Sequence, residues 1–122
     1  MDKRAAKELM HVQRWLTIAA TIATRGRDFY ITDEVAQEAG DALMIKIGEA
    51  SKRLAAHGLT PPPGVDWGDA AKNREKLVHH YSAVDRELTW QTLSVSLPTW
   101  NEALQHLFAE ASLALGLDSR HP

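Results

Sequence analysis

The sequence predicts an all-α protein, an up-down bundle of four to five helices that forms one domain over residues 1–122. Apolar residues recur three and four positions apart over long stretches, which is typical of helices with one buried face. The sustained alternation of apolar and polar residues that indicates strands is absent. Residues that cap or break helices separate the stretches, which favours a bundle of distinct helices. A chain of 122 residues suits a single domain with one ordinary core.

The first predicted helix covers about residues 3–23. Its apolar residues lie alternately three and four positions apart, as a helix packed along one stripe requires: Leu9, Val12, Leu16, Ala19 and Ala23. A short polar segment containing glycine then breaks the helix: Arg25, Gly26 and Arg27.

The second predicted helix follows Thr32 or Asp33, either of which is a suitable N-cap, and continues to about residue 56. Its expected apolar stripe is Val35, Ala39, Leu43, Ile47, Ala50 and Leu54. Gly40 and Gly48 lie inside this helix, although a glycine there costs ~1 kcal/mol relative to alanine. We therefore expect another backbone to approach this helix closely. A glycine at position 58 supplies the stop.

A third helix over residues 67–81 and a fourth over residues 86–96 are each preceded by an aspartate that is a suitable N-cap: Asp66 and Asp85. Pro98 is expected to break or kink the chain, and a last helical segment ends just before Gly116. Core packing is the simplest explanation for Trp15 and Trp90. The other two tryptophans, Trp67 and Trp100, are candidates for an interface.

Composition excludes several classes of protein. The chain has 44% hydrophobic and 25% charged residues, as soluble domains do. It has no cysteine, which excludes disulfides and thiolate metal sites and is compatible with the cytoplasm, where we expect the protein. The apolar run at residues 15–24 is too short to span a bilayer, so we expect no membrane contact. The net charge of −2 means that any nucleic-acid binding requires a local basic patch. We expect neither a metal nor a cofactor, since the histidines lack metal-ligand spacing.

The most informative segment is residues 74–81, with the sequence REKLVHHY. Arg74 falls on the apolar stripe of the third helix, together with Leu77 and Val78. A buried guanidinium requires an anionic or hydrogen-bonding partner. That partner is either a carboxylate inside the protein, such as Glu49 or Asp85, or an anionic ligand in a cleft.

The spacing Arg-x4-His-x-Tyr at Arg74, His79 and Tyr81 resembles the signature of HepT-like toxins of the HEPN superfamily. The likeness covers about residues 32–107 and includes IGEASKRL at 47–54, Asp66 and Trp67 before the motif, YSAVD at 81–85 and Leu97 with Pro98. One position departs from the family, because Glu75 stands where its members commonly have asparagine.

The resemblance implies a HEPN-like fold and a function as the toxin of a type II- or VII-like toxin–antitoxin pair. Such a toxin is a metal-independent endoribonuclease and works as a homodimer, with the motifs of two subunits facing one cleft. The resemblance also implies a cognate minimal nucleotidyltransferase antitoxin, which silences the toxin by adenylylating Tyr81.

Elementary chemistry assigns roles to the motif residues. Histidine titrates near neutrality and transfers protons, so His79 is expected to be the general acid or base. Arginine binds phosphate through a bidentate fork, so Arg74 is expected to hold the phosphate and stabilise the transition state. Tyr81 is expected to position the phosphate and to be the site of modification. Contacts with RNA are expected from Lys72, Lys76 and His80, in a modest basic patch that is completed by Arg86, Lys52 and Arg53.

Helix geometry adds an expectation about assembly. Arg74 and His79 are five residues apart, which corresponds to ~140° around an ideal helix at ~100° per residue. One straight helix is therefore not expected to aim both side chains at one phosphate. Either the helix unwinds near His79, or the site combines the two residues from different subunits.

Two other functions remain open from the sequence. The first is a non-catalytic binding module, the substrate-binding subunit of a split nucleotidyltransferase. The second is a helical interaction protein whose motif has decayed, for which Glu75 is the argument. Taken singly, the motif residues also have structural explanations: an ion pair for Arg74, solvated positions at a helix end for His79 and His80, and a helix cap for Asp85.

Overall fold

The structure, a computed structural model, describes residues 1–79 and 83–117. These residues form α1 (Lys3–Ala23), α2 (Arg27–Thr32), α3 (Glu34–Ala56), α4 (Trp67–His79), α5 (Arg86–Gln91), a π-helix (Thr92–Ser96) and α6 (Leu97–Ala114). No strand occurs in the described ranges, and the predicted all-α class is confirmed. Since α5, the π-helix and α6 follow one another without a break, the described chain forms four long helical rods and the short α2.

Helix α1 packs against both α3 and α6. It begins at the predicted residue because the Asp2 side chain accepts a hydrogen bond from the backbone N–H of Arg4, at 2.8 Å. The predicted stripe is buried except for its last member, Ala23, and the buried residues are Ala5, Ala6, Leu9, Val12, Leu16 and Ala19.

Helix α3 has the predicted bounds and the predicted cap, since Asp33 accepts from the N–H of Ala36 at 2.8 Å. The expected stripe is wrong in its first turns: Val35 is 77% exposed and Ala39 is exposed as well. The buried face there consists of Ala36 and Gly40. A Cβ on Gly40 would lie 3.0 Å from Leu93, so close packing selects the smallest residues over the more apolar ones.

Two local elements differ from the predictions. The chain breaks at Gly26 as expected, with φ of +94°, but it resumes at once as α2, whose Tyr30 is fully buried. Pro98 does not break the chain, because it lies in the first turn of α6 and follows the π-helix directly. A π-helical turn bonds each residue to the one five positions away, so it accommodates a proline that lacks an N–H and crowds the carbonyl four residues before it.

A polar cluster ties α5 to α3 inside the bundle. The Arg86 guanidinium donates to both oxygens of Asp41, at 2.7 and 2.9 Å, and the Asp41 side chain is only 9% exposed. This carboxylate raises the pKa of Arg86 above its ordinary value. The Tyr30 hydroxyl lies 2.6 Å from Oγ1 of Thr89. Arg86 was expected in the basic patch, but the structure uses it to hold two helices together.

None of the helices in residues 1–79 and 83–117 has both the length and the apolar character that crossing a bilayer requires.

Candidate active site

Helix α4 carries the motif, and its first residue anchors it to the bundle. Trp67 is 5% exposed, and its Nε1–H donates to the carbonyl oxygen of Leu59 at 2.9 Å. Its ring meets that of Trp100 edge to face, with centroids 5.7 Å apart. Trp67 therefore packs within the subunit, and the expectation that it lies at an interface is wrong. The Asp66 side chain accepts from the N–H of Gly68 at 2.8 Å, as expected of a capping residue.

A glycine on α3 fixes the distance between α3 and α4. A Cβ placed on Gly48 would overlap Cβ of Arg74 and would lie 2.7 Å from the carbonyl oxygen of Ala70. The predicted close approach of another backbone is confirmed here, and the approaching backbone is that of the motif helix. The contact also explains why Arg74 is half-buried: its stem lies against α3 while its guanidinium reaches the surface, with 25% of the side chain exposed.

Two of the motif residues, Arg74 and His79, lie beside one carboxylate, that of Glu75. Nη1 of Arg74 lies 2.5 Å from Oε1 of Glu75, and Nε2 of His79 lies 3.1 Å from Oε2. His79 and Glu75 are 64% and 48% exposed, so the arrangement faces solvent. Nε of Arg74 is buried and meets no acceptor among the described residues. The guanidinium therefore has only part of its hydrogen-bonding capacity in use.

The electrostatics of this cluster favour a charged carboxylate. The hydrogen bond and charge of Arg74 lower the pKa of Glu75 below its ordinary value, with smaller contributions from His79 and Lys52 and a partly opposing effect of desolvation. A lowered pKa keeps the carboxylate ionised at neutral pH and below, so Glu75 remains an anion at physiological pH.

One expectation about Arg74 is corrected by this geometry. Its ion-pair partner is neither Glu49 nor Asp85 but Glu75, the next residue in the chain. Asp85 instead caps α5, accepting from the N–H groups of the two residues after Arg86. The expectation that one straight helix does not aim Arg74 and His79 at one phosphate stays a prediction, because the carboxylate that both side chains approach belongs to α4 itself.

The expected basic patch is smaller than the sequence suggested. Lys72 and Lys76 are exposed on α4, and the charge of Lys52 on α3 contributes to lowering the pKa of Glu75. Arg86 is bound to Asp41, and Arg53 pairs with Glu8 at 2.8 Å. The predicted RNA-contacting residue His80 and the predicted modification site Tyr81 lie outside the described residues.

Two concave surfaces adjoin the motif helix. A cavity of about 290 Å³ is lined by Asn73, Lys76, Leu77, Ala83, Val84, Asp85, Leu88 and Thr89. A second cavity of about 200 Å³ lies nearer the start of α4, and its lining includes Asp69, Ala70, Asn73 and Trp100. Among the described residues, no group of three or more His, Asp or Glu side chains is placed to hold a metal ion.

Sequence reasoning missed the role of Glu75, which it treated only as a departure from the usual asparagine. The signal was present in the spacing: Glu75 follows Arg74 directly and precedes His79 by four residues. Residues four apart lie on the same helical face, so this glutamate is placed to contact the histidine.

The fold and the site define a class: a HEPN-like helical protein whose arginine and histidine share an anion on one helix. The family model described as "Ribonuclease HepT-like" matches residues 12–107. The chain therefore belongs to the HepT-like ribonuclease family.

Curated relatives carry names that agree with this family. The chain is 32% identical over 71 residues to "Putative RNase MJ0127" of Methanocaldococcus jannaschii, a match that covers 58% of this chain and 59% of the relative. It is 31% identical over 70 residues to "Probable ribonuclease HepT" of Thermococcus cleftensis, covering 57% of this chain and 64% of the relative. The matches thus span less than two thirds of either relative. No solved structure has significant similarity to the chain.

Proposed function

We propose that this protein is the toxin of a toxin–antitoxin pair and acts as a metal-independent endoribonuclease. The observation that carries the proposal is that Arg74 donates to one oxygen of the Glu75 carboxylate while Nε2 of His79 lies 3.1 Å from the other oxygen. A phosphodiester also offers two anionic oxygens, so the same two side chains suit an RNA phosphate. Membership of the HepT-like family and relatives named as ribonucleases support the same activity.

The reaction requires a base, an acid and a cation from the protein. A base removes the proton of the ribose 2′-hydroxyl, the oxygen attacks the adjacent phosphorus, and the bond to the 5′-oxygen breaks as an acid protonates that oxygen. His79 is exposed at the end of α4 and supplies one of these proton transfers, which typically contribute ~10²–10⁴-fold. Arg74 neutralises the charge that develops on the phosphorus oxygens. Lys72, Lys76 and His80 contribute phosphate contacts along the strand.

The test is RNA cleavage by the purified protein in excess EDTA, with two histidine variants compared. We expect wild type to cleave and His79→Ala to lose at least ~100-fold in rate. His106→Ala is the matched control, because His106 is also exposed on a helix and also pairs with a glutamate four residues on, Glu110 at 3.3 Å.

Both histidines are exposed, so neither substitution is expected to change the helix content, which circular dichroism checks. Full activity in folded His79→Ala would overturn the assignment. Absence of cleavage by wild type would favour the non-catalytic substrate-binding subunit of a split nucleotidyltransferase.

The proposal extends to a partner, a cognate minimal nucleotidyltransferase antitoxin that adenylylates Tyr81. Its support is the resemblance of the motif, since Tyr81 follows His79 by two residues. Attached AMP would add bulk and negative charge near Arg74 and compete with the RNA phosphate. With ATP and Mg²⁺, the partner is expected to add ~329 Da per AMP to wild type and nothing to Tyr81→Phe, as measured by intact-mass spectrometry. A neutralised complex with unmodified Tyr81 would contradict this part.

A further inference from the structure

An acidic residue already occupies the place that the proposed function gives to a phosphate. Nη1 of Arg74 donates to one oxygen of Glu75, and Nε2 of His79 lies 3.1 Å from the other. These two nitrogens are called the anion subsite below, and Glu75 occupies it from the same helix. A carboxylate and a phosphodiester both present two oxygens that carry one negative charge, so they compete for the same donors. The contacts of Glu75 are therefore those that the substrate must take over.

The geometry makes this occupancy displaceable. Glu75 is 48% exposed, and ion pairs at exposed positions are weak because water and salt screen the charges. Its side chain is long and flexible, and Lys52 lies near enough to contribute to its electrostatics. A glutamate that swings away from the motif thus retains one cationic neighbour on α3.

Arg74 does not move as easily as Glu75. The stem of Arg74 lies against Gly48 of α3, close enough that a single added methyl group would overlap it. Nε of Arg74 is buried, which leaves the guanidinium in place while its partner changes. The Arg74 part of the anion subsite is accordingly preformed, while its occupant is exchangeable.

We propose that Glu75 is a built-in competitor of the substrate, which occupies the anion subsite of Arg74 and His79 until a phosphodiester displaces it. This inference rests on the proposed function for the identity of the displacing anion. Its consequence is that wild type binds RNA more weakly than a protein with the same Arg74 and His79 but without the Glu75 carboxylate. A neutral residue at position 75 therefore strengthens RNA binding.

Two probes test the inference separately from catalysis. The first is inorganic phosphate, titrated against ¹³C,¹⁵N-histidine-labelled protein while NMR follows the ring signals of His79. The second is a fluorescent 2′-O-methyl oligoribonucleotide, which has no 2′-hydroxyl to react, followed by anisotropy at constant ionic strength. Glu75→Gln is expected to bind both probes about three- to tenfold more tightly than wild type, as the loss of two exposed ion pairs implies.

The chain offers a matched control in Glu110, which also pairs with a histidine four residues away, His106, but on α6. Glu110→Gln changes the net charge equally, so it measures the nonspecific electrostatic gain, which we expect to stay within about twofold. Glu75→Ala removes the acceptor entirely and is expected to match Glu75→Gln. The helix content of each variant is checked by circular dichroism.

The outcomes separate this inference from the proposed function. Tighter binding of both probes by the two Glu75 variants supports it. Phosphate binding that is no tighter than in Glu110→Gln overturns it, even if wild type cleaves RNA. Tighter phosphate binding with no RNA binding by any variant supports the competitor role of Glu75 and overturns the proposed ribonuclease function.

Discussion

The Arg74 side chain both packs against a neighbouring helix and forms an ion pair at the surface. Its stem packs against Gly48 on α3, and its head donates to Glu75 at the surface. The sequence predicted that Arg74 needs a partner, since its position on an apolar stripe implied a partly buried guanidinium. The partner itself was not predictable, because the helical period fixes the face of a residue but not the rotamer that a long side chain adopts.

Exchange of Arg74 for lysine separates the packing from the ion pair. The lysine stem retains the packing against α3, so we expect the free energy of unfolding to change by less than ~1 kcal/mol. A compact ammonium cannot form the planar fork that matches a phosphate, so RNA cleavage is expected to fall about 10- to 100-fold. Denaturant melts and cleavage rates measure the two effects.

Arg53→Lys is the control for Arg74→Lys, because Arg53 pairs with Glu8 at a half-exposed site outside the motif. It is expected to leave cleavage unchanged. Cleavage at the wild-type rate by the Arg74→Lys variant would show that the guanidinium fork is not required.

At the scale of the elements, capping residues and periodicity predicted where the long helices begin and end. The bounds of α1 were predicted closely from its apolar period and the glycine that follows it, and those of α3 from the capping aspartate before it and the glycine after it. The cap of α1 by Asp2 was not predicted. Helix α2 was missed because six residues are too few to display a period. The π-helix at Thr92–Ser96 was missed because such a turn depends on the packing around it and has no sequence period of its own.

Gly48 allows the motif helix α4 to pack closely against α3. Gly48→Ala would place a methyl group onto Cβ of Arg74 and the carbonyl oxygen of Ala70, and neither backbone has room to retreat without separating the helices. We expect a destabilisation of about 1–3 kcal/mol from overpacking, reduced by the better helix propensity of alanine. RNA cleavage is expected to fall as well, because Arg74 shifts with α4. Thermal melts and cleavage rates are the measurements.

Gly40→Ala is the comparison on the same helix. Its methyl group would meet the flexible end of the Leu93 side chain at 3.0 Å, away from the motif. We expect a smaller loss of stability and unchanged cleavage. Equal losses of cleavage in both variants would mean that the contact with Arg74 has no special role.

At the scale of the whole molecule, α4 packs mainly against α3, and the cavity beside Lys76 remains open between α4 and α5. The geometric argument for a site shared between subunits concerns a phosphate, whereas the anion that Arg74 and His79 approach here is a side chain of their own helix. The homodimer therefore rests on that argument and on the family resemblance, and both the homodimer and the single-domain organisation stay predictions.

We predict that the protein is a homodimer with the α4 helices of two subunits across one cleft. Light scattering coupled to size-exclusion chromatography at about 50 µM, well above the micromolar range of weak interfaces, is expected to give twice the monomer mass of 13.6 kDa. Lys76→Glu, at the edge of the proposed cleft, is expected to weaken the dimer, and the exposed Lys3→Glu serves as its control. A monomeric mass at that concentration would refute the prediction.

The edge-to-face contact between Trp67 and Trp100 gives the protein an intrinsic optical reporter. Coupled indole rings held in a fixed chiral arrangement produce a near-ultraviolet circular dichroism signal, and this pair joins the first residue of α4 to α6. The signal is lost when α4 detaches, even if far-ultraviolet helicity is retained. A spectrum of each inactive variant thus distinguishes a lost chemical group from a displaced helix without any added label.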